Sequence, residues 1–266
     1  MSKFAVAGLV LSVSTMLATP SLAQSGWFSG DWSLTLGVAA ISLPEYEGDD
    51  KYRFVAQPIV SFGRQGTERR FSSRNDNISI GLIDTGTFRA GPTGKLVFER
   101  DGGDSDDLVG LDPIRFGAEL GGFAEVYPTD WLRVRGEVRH GIRSHDGIIA
   151  DLSADAFMNV SPTVQISAGP RVSMASSDYF DAYYGVSPAE SLASGLTPYT
   201  PDGGFRSVGV GAAIRWDVTD TIETSLFGEY SRLVGPAADS SLVRERGDEN
   251  QFLIGVSATY RFDFSL

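Results

Sequence analysis

The sequence is dominated by segments of about 10 to 14 residues in which apolar side chains occupy every second position. In QFLIGVSATYRFDF, residues 251–264, the apolar set comprises Phe252, Ile254, Val256, Ala258, Tyr260, Phe262 and Phe264. Alternate side chains of a β-strand point to opposite faces, so this segment predicts a strand with one apolar, partly aromatic face. The mean hydropathy of the whole chain is only -0.06, which raises the question of what such a face lies against.

The same alternation recurs along the chain, as in DWSLTLGVAAIS (residues 31–42) and WLRVRGEVRHGIR (residues 131–143). These segments are longer than the usual strand of a soluble protein and match the roughly 9 to 11 residues that cross a bilayer at a tilt. Short turns such as PTD alternate with long polar connections over the second half of the chain. This pattern is typical of outer-membrane barrels and predicts an all-β, antiparallel, up-and-down transmembrane β-barrel.

The predicted number of strands depends on residues 69–84, where the alternation of apolar side chains is weak. Twelve strands are predicted if RRFSS is separated from ISIGLID at RNDN, and ten if this region pairs differently. A soluble β-sandwich would also show alternation, but it would not explain aromatic residues at strand ends, such as Trp32, Trp216 and Tyr230.

The N-terminus is typical of a secretory signal. Lys3 precedes the apolar stretch FAVAGLVLSVSTMLA, and Ser21–Ala23 offers small residues for cleavage. A transmembrane anchor is disfavoured because the run is short and polar residues follow at once. We therefore expect a signal peptide over residues 1–23 and a barrel domain over residues 24–266, in the outer membrane of a Gram-negative bacterium.

The amino-acid composition excludes several classes of function. The formal net charge of -12 disfavours nucleic-acid binding, and the absence of cysteine excludes thiol chemistry. His140, expected on the outward face, and His145, expected in a turn, leave little room for a zinc site. No nucleophile–base motif is evident, so we expect no enzyme and no cofactor, although an acid pair hidden in the loops is the alternative.

The residues at odd positions of the central strands are charged and should face the barrel lumen. They comprise Arg115, Glu119, Glu125, Arg133, Arg135, Arg139, Arg143, Asp151 and Asp155. If the chain turns at YPTDW, Glu125 lies opposite Arg133, Glu119 opposite Arg139, and Arg115 opposite Arg143. If the next hairpin turns at HDG, Arg139 lies opposite Asp151 and Arg135 opposite Asp155. A slip of two residues would keep the faces and change the partners. A structural role is favoured over a pore-lining selectivity surface, because balanced charge selects no ion.

Two kinds of long loop stand out. The acidic segments DGGDSDDL and YEGDDK lack the calcium-loop spacing, so solvation is favoured over weak Ca²⁺ or Mg²⁺ contact and no metal site is predicted. The span from Asp178 to Phe205 contains SPAESLASG, in which an N-cap serine, a proline at the first position and Glu190 predict a short helix. The residues expected to cap the barrel mouth or bind a partner are Tyr179, Phe180, Tyr183, Tyr184, Pro188 and Tyr199.

The segments YYGVSPAESLASGLTPYTPDGGFRSVGVG and LVGPAADSSLVRERGDENQFLIGVSATYRF, with LPEYEGDD and DDLVGLD nearer the N-terminus, resemble the MipA/OmpV family of outer-membrane proteins. The resemblance covers essentially the whole chain after the signal segment. It implies no catalytic residues. It implies either a scaffold joining a murein lytic transglycosylase to a penicillin-binding protein, or a porin-like protein. Many barrel proteins end on phenylalanine, whereas this sequence continues through SL after Phe264. We therefore expect the C-terminal assembly signal to use Tyr260, Phe262 and Phe264 with a small overhang.

Two functions follow as alternatives. The favoured one is a structural scaffold for peptidoglycan synthesis and turnover, with outer-membrane lipid and lipopolysaccharide around the barrel. Its weakness is that the turns on the periplasmic side are short, so a docking surface would have to include the segment QSGWFSGD. The alternative is a channel for small solutes, which the expected ion pairs and the ordered loop would obstruct.

Overall fold

A computed structural model describes residues 30–64, 71–74 and 76–265, and the predicted signal peptide lies outside this part of the chain. The strands are β1 (Asp31–Pro44), β2 (Tyr52–Arg64), β3 (Ile78–Ser79), β4 (Ile83–Asp84), β5 (Phe88–Val97), β6 (Gly117–Thr129), β7 (Leu132–Ile142), β8 (Ile148–Asn159), β9 (Val164–Ala175), β10 (Gly204–Asp217), β11 (Ile222–Leu233) and β12 (Asn250–Ser265). The helices are α1 (Ser177–Tyr184), α2 (Pro188–Ser194), α3 (Pro236–Asp239) and α4 (Ser241–Arg246), with a 3₁₀ turn at Asp106–Leu108.

All twelve strands belong to one antiparallel sheet. Its order is β2-β1-β12-β11-β10-β9-β8-β7-β6-β5-β3, with β4 also paired to β5, so the first strand is joined to the last. The sheet curls until loops near its two ends meet, since Lys51 Nζ lies 2.7 Å from Asp107 Oδ2 and Arg53 Nη1 lies 3.4 Å from Asp104 Oδ1. The predicted all-β, up-and-down architecture with twelve strands is confirmed.

The predicted short strand RRFSS is wrong for residues 71–73, which are not in a strand. ISIGLID instead supplies both short strands, β3 and β4. The physical reason is a local turn: the Ser73 amide donates to Asp76 Oδ2 and the Asp76 amide donates to the Ser73 carbonyl. Because these backbone groups are used in the turn, they are not available for hydrogen bonds to a neighbouring strand. The segment passes into the lumen instead.

The convex face of the sheet is apolar. Along β12, Phe252, Ile254, Val256, Tyr260 and Phe262 are exposed, while alternate residues such as Gln251, Ser257 and Thr259 are buried. Solvent-exposed aliphatic side chains in this number need a lipid environment. No helix of the described residues is long and apolar enough to cross a membrane.

Exposed aromatic side chains form two belts on this face. One belt near the helix-bearing loops contains Phe54, Phe116, Phe205 and Phe252, and one near the short turns contains Trp216, Tyr260 and Phe262. Ten residues of tilted strand separate Phe252 from Phe262, which corresponds to about 25 Å along the barrel axis. The two belts therefore bracket the apolar band of a membrane-spanning outer-membrane-type barrel.

The two ends of the barrel differ. At the turn end, β6 and β7, β8 and β9, and β10 and β11 are joined by tight connections. At the cap end, long connections carry the four helices and pack around two apolar clusters. One cluster contains Phe180, Tyr184, Leu233 and Val243, and the other contains Tyr46, Leu108, Leu196 and Leu242. We call this assembly of loops the cap.

The predicted helix in SPAESLASG is confirmed as α2. Ser187 and Glu190 form a reciprocal capping box, Pro188 occupies the first turn, and Gly195 ends the helix at a left-handed φ of 82°. The three other helices of the cap are not among the predicted elements.

Candidate functional site

The lumen contains a cluster of paired charges along β5 to β9. It consists of Arg89, Arg133, Arg135, Arg139 and Arg171 with Asp76, Glu119, Glu125, Glu137, Asp151 and Asp155. We call these residues the lumen network. All except Asp76 project from strands, at positions that alternate with the lipid-facing residues.

Arg139 binds three carboxylates at once. Its Nε lies 2.9 Å from Glu119 Oε2, and its Nη1 lies 2.6 Å from Glu137 Oε2. Its Nη2 lies 2.6 Å from Asp151 Oδ2. The side chain is only 3 % exposed, so the three contacts replace the hydration that burial removes.

Arg133 and Arg135 form the other centre of the network. Arg133 donates to both Asp76 oxygens, at 2.5 and 2.9 Å, and to Asp155 at 2.7 Å. Arg135 Nη1 lies 2.9 Å from Glu125 and its Nη2 lies 2.6 Å from Glu137. The planar guanidinium fork suits such bidentate pairing, which fixes direction as well as charge.

Residues 71–74 and 76–77, which we call the strap, cross the lumen and complete the network. The Phe71 ring stacks on Phe157 of β8 with centroids 4.4 Å apart, and Arg133 lies over the same ring. Arg74 pairs with Glu223 of β11 at 2.5 Å, and Asn77 donates to Glu137 at 2.8 Å. The strap therefore joins β7 and β8 to β11 across the lumen.

The two predicted registers are wrong by two residues. In the β6–β7 hairpin Glu125 lies opposite Arg135, and in the β7–β8 hairpin Arg133 lies opposite Asp155. The β6–β7 turn is the tight pair Asp130–Trp131, with a register shift between Val126 and Thr129. A shift of two preserves which face each residue occupies, so the lumen face itself is unchanged.

Side chains reach partners that the register alone does not give. Arg139 contacts Glu119 and Asp151 diagonally, and Arg133 Nη1 lies 3.7 Å from Glu125, because an arginine spans the distance to a diagonal neighbour. The expected Arg135–Asp155 pair is not formed in the described part of the chain, where Asp155 binds Arg133 and Arg171 instead.

Arg115 and Arg143 do not belong to the lumen network, contrary to the prediction. Both are exposed and lie outside the strands, because β6 begins at Gly117 and β7 ends at Ile142. Arg143 has a φ of 70°, which marks the point where the chain leaves the ladder.

Several residues of the network were not foreseen. Glu137 lies on β7 between Arg135 and Arg139, so its odd position carried the signal that could have identified it. Asp76 had no such signal, because its role depends on the path of the strap. His145, expected to be an unremarkable turn residue, is buried with its Nε2 3.4 Å from Glu119, while its Nδ1 accepts from the Gly147 amide.

Polar contacts link the lumen network to the cap. Ser173 donates to Asp151 at 2.6 Å and accepts from Arg206 Nε at 2.9 Å. Arg206 also pairs with Glu47 of the β1–β2 loop, and Glu47 accepts from the Tyr179 hydroxyl at 3.1 Å. These contacts therefore connect the cap to the lumen network.

The predicted cap residues occupy different places. Tyr179, Phe180 and Tyr184 are buried on α1, and burial raises the pKa of the Tyr179 and Tyr184 hydroxyls well above the usual range. Tyr183 stacks on Tyr179 at 4.4 Å between ring centroids. Tyr199 donates to the Pro236 carbonyl at 3.0 Å, whereas Pro188 is exposed at the start of α2. Their role in capping the barrel mouth or binding a partner stays a prediction.

We expect Glu190→Gln to loosen α2 in a pH-dependent manner. Burial would raise the pKa of Glu190, but hydrogen bonds from the Asp112 amide and Ser187 outweigh it and lower the pKa. A lowered pKa stabilises the fold above the unfolded value of about 4.3 and loses that contribution as the pH falls. Hydrogen exchange of the α2 amides should be faster in the variant at pH 7, and the difference should narrow at pH 3. An equal difference at both pH values would contradict this.

The proposed assembly residues Tyr260, Phe262 and Phe264 lie near the end of β12, on the face opposite the buried Thr259. Tyr260 and Phe262 are exposed, and their ring centroids lie 4.6 Å apart. These positions are accessible from the membrane, and their role in assembly stays a prediction.

Comparison with known proteins gives one family and several barrels of low identity. The chain is similar to a bacterial polysaccharide outer membrane secretin (11 % identity, 86 % of this chain and 98 % of that chain, TM-score 0.46). It is also similar to the NanC porin (8 % identity, 86 % of this chain and 98 % of that chain, TM-score 0.41). A third similar structure is OmpT of Vibrio cholerae (7 % identity, 87 % of this chain and 96 % of that chain, TM-score 0.37). No curated protein matches. The family described as MltA-interacting protein MipA matches residues 36–262, and the chain therefore belongs to the MipA family.

Proposed function

We propose that this protein is a non-enzymatic structural barrel of the outer membrane that serves as a scaffold for peptidoglycan synthesis and turnover. In this proposal residues 1–23 direct export and are removed near Ala23. The observation that carries it is the filled lumen: the strap and the lumen network occupy the interior beneath an ordered cap. A barrel filled in this way is suited to rigid support.

The family description supports the choice of partner. It names interaction with MltA, a murein lytic transglycosylase, and we extend this interaction to the present chain. A penicillin-binding protein would be the second partner, so that murein cleavage and murein synthesis are held together. Outer-membrane lipid and lipopolysaccharide would surround the apolar convex face.

The turn end is the surface that would meet these partners. Its connections are short, and Trp131 at the β6–β7 turn is 56 % exposed. An exposed tryptophan on a tight turn is a suitable anchor, since tryptophan is enriched at energetically important positions of interfaces. The segment at residues 24–29, expected to contribute, lies outside the described residues.

We expect the purified barrel to be silent in planar bilayers and to retain a lytic transglycosylase in a pull-down. We expect no conductance because the strap and the paired charges of the lumen network lie inside the lumen. Deleting residues 178–204 should leave the bilayer silent, because the strap and the network remain. Arg232→Ala, a change at an exposed ion pair, serves as the matched control for handling and insertion.

One result would contradict the scaffold, and another would contradict the position of its docking surface. Defined single-channel steps that enlarge when residues 178–204 are deleted would identify a pore. Failure of Trp131→Ala to weaken capture of the transglycosylase would place its docking surface elsewhere than the β6–β7 turn.

A further inference from the structure

Three carboxylates converge where the two ends of the curled sheet meet. Asp49 and Asp50 belong to the β1–β2 loop, and Asp107 belongs to the 3₁₀ turn of the β5–β6 loop. One oxygen from each lies within 4.8 Å of the others. Oxygen ligands on opposite sides of a calcium ion are separated by about 4.6–5.2 Å, so this spacing fits one shared cation.

The surroundings of these carboxylates contain unsatisfied oxygen atoms. Asp49 is fully buried; its Oδ1 accepts from the Lys51 amide at 2.9 Å, but its Oδ2 has no hydrogen-bond partner in the described structure. The hydroxyl of Tyr46, a residue 4 % exposed, also has none. A buried carboxylate oxygen without a partner is costly unless a cation or a donor satisfies it.

The cluster thus combines three converging carboxylates with two buried oxygen atoms, Asp49 Oδ2 and the Tyr46 hydroxyl, that have no hydrogen-bond partner in the described structure.

We propose that Asp49, Asp50 and Asp107 bind a divalent cation, preferentially Ca²⁺, which joins the β1–β2 and β5–β6 loops. Hard carboxylate and hydroxyl oxygens suit Ca²⁺, whose variable coordination is easier to meet with ligands from two separate loops than the strict octahedron of Mg²⁺. The ion would fasten the cap across the line where β2 and the β5–β6 loop approach each other.

Lys51 is the internal competitor of this ion. Its Nζ lies 2.7 Å from Asp107 Oδ2, and its side chain is 53 % exposed. It can therefore leave Asp107 for solvent when the cation binds. The positive charge of Lys51 lowers the affinity of the site for a cation, so removing this charge should strengthen cation binding.

The test uses the full mature barrel in detergent after removal of metals, with Tb³⁺ as the luminescent probe and Ca²⁺ as its competitor. Tyr46, whose carbonyl accepts from the Asp49 amide at 3.1 Å, is the expected sensitiser of Tb³⁺ emission. We expect Asp49→Asn and Asp50→Asn each to weaken Tb³⁺ and Ca²⁺ binding by about tenfold or more, since affinity follows the number of charged ligands. Lys51→Gln should strengthen binding several-fold.

Asp106→Asn is the matched control, because it makes the same charge change next to Asp107 at an exposed residue outside the cluster. Binding in this variant should stay within about threefold of wild type, as expected for screened surface charge. The proposal would be overturned if Asp106→Asn weakens binding as much as Asp50→Asn, or if Lys51→Gln weakens it. Because Asp50 is exposed, its variant tests the site even if the buried Asp49 variant fails to fold.

Discussion

Replacing Arg139 with alanine is expected to destabilise the barrel by about 3–5 kcal/mol, the cost of removing one partner from a buried ion pair. The guanidinium satisfies Glu119, Glu137 and Asp151 together, and the first two are almost completely buried. Without it, these carboxylates remain in the lumen with fewer donors and repel each other. The measurement is heat-modifiability on a gel, supported by urea unfolding in detergent.

Arg232→Ala provides the matched comparison for Arg139→Ala. Arg232 also binds a carboxylate at 2.6 Å, that of Glu249, but the two side chains are 53 % and 35 % exposed. An exposed pair contributes about 0–1 kcal/mol, so the control should keep the wild-type unfolding temperature. If the two variants unfold at the same temperature, the lumen network does not stabilise the barrel.

The lumen network shows which level of structure a sequence can specify. Alternation along β7 identified Arg133, Arg135 and Arg139 as lumen residues, because a side chain's face depends only on parity. The register depends on the turn and on local irregularity, and the shift between Val126 and Thr129 cannot be recognised from alternation. The face of the sheet that each residue occupies was therefore predictable, and its ion-pair partner on the neighbouring strand was not.

The strap was not predictable for a different reason. Its residues resemble a weak strand, and the competing arrangement is stabilised only by residues distant in sequence. Arg74 pairs with Glu223 and Asp76 pairs with Arg133, at sequence separations of 149 and 57. No local rule carries information about such contacts, since tertiary packing overrides weak strand propensity.

The cap illustrates the same division. α2 has a complete local signature in its capping box, proline and terminal glycine, and was predicted from them. α1 has no side-chain hydrogen bond at its N-cap, and its sequence SDYFDAYY is rich in aromatic residues with modest helix propensity. Its stability comes from burying those aromatics against Leu233, Ala237 and Val243, which a local pattern cannot show.

Phe180→Ala is expected to open the cap while leaving the barrel folded. Phe180 is fully buried on α1, in the cluster that joins α1 to α3 and α4. Truncating a buried phenylalanine costs about 3–5 kcal/mol, because apolar contact is lost and a cavity remains. α1 has only eight residues and depends on this packing, so the loss should be expressed as local opening.

Opening of α1 should become about 100- to 4,000-fold more frequent in Phe180→Ala, since each 1.4 kcal/mol corresponds to a factor of ten. Hydrogen exchange of the α1 amides and limited proteolysis between residues 176 and 203 would report it. Leu192→Ala is the matched control, because Leu192 lies in the same connection but is 91 % exposed, and its exchange should match wild type. The lumen network lies below α1 and should keep the heat resistance of the barrel close to wild type.

Two outcomes would contradict this prediction. If the α1 amides of Phe180→Ala and Leu192→Ala exchange at equal rates, the aromatic cluster does not hold the cap. If Phe180→Ala unfolds the whole barrel, the cap and the barrel form one cooperative unit.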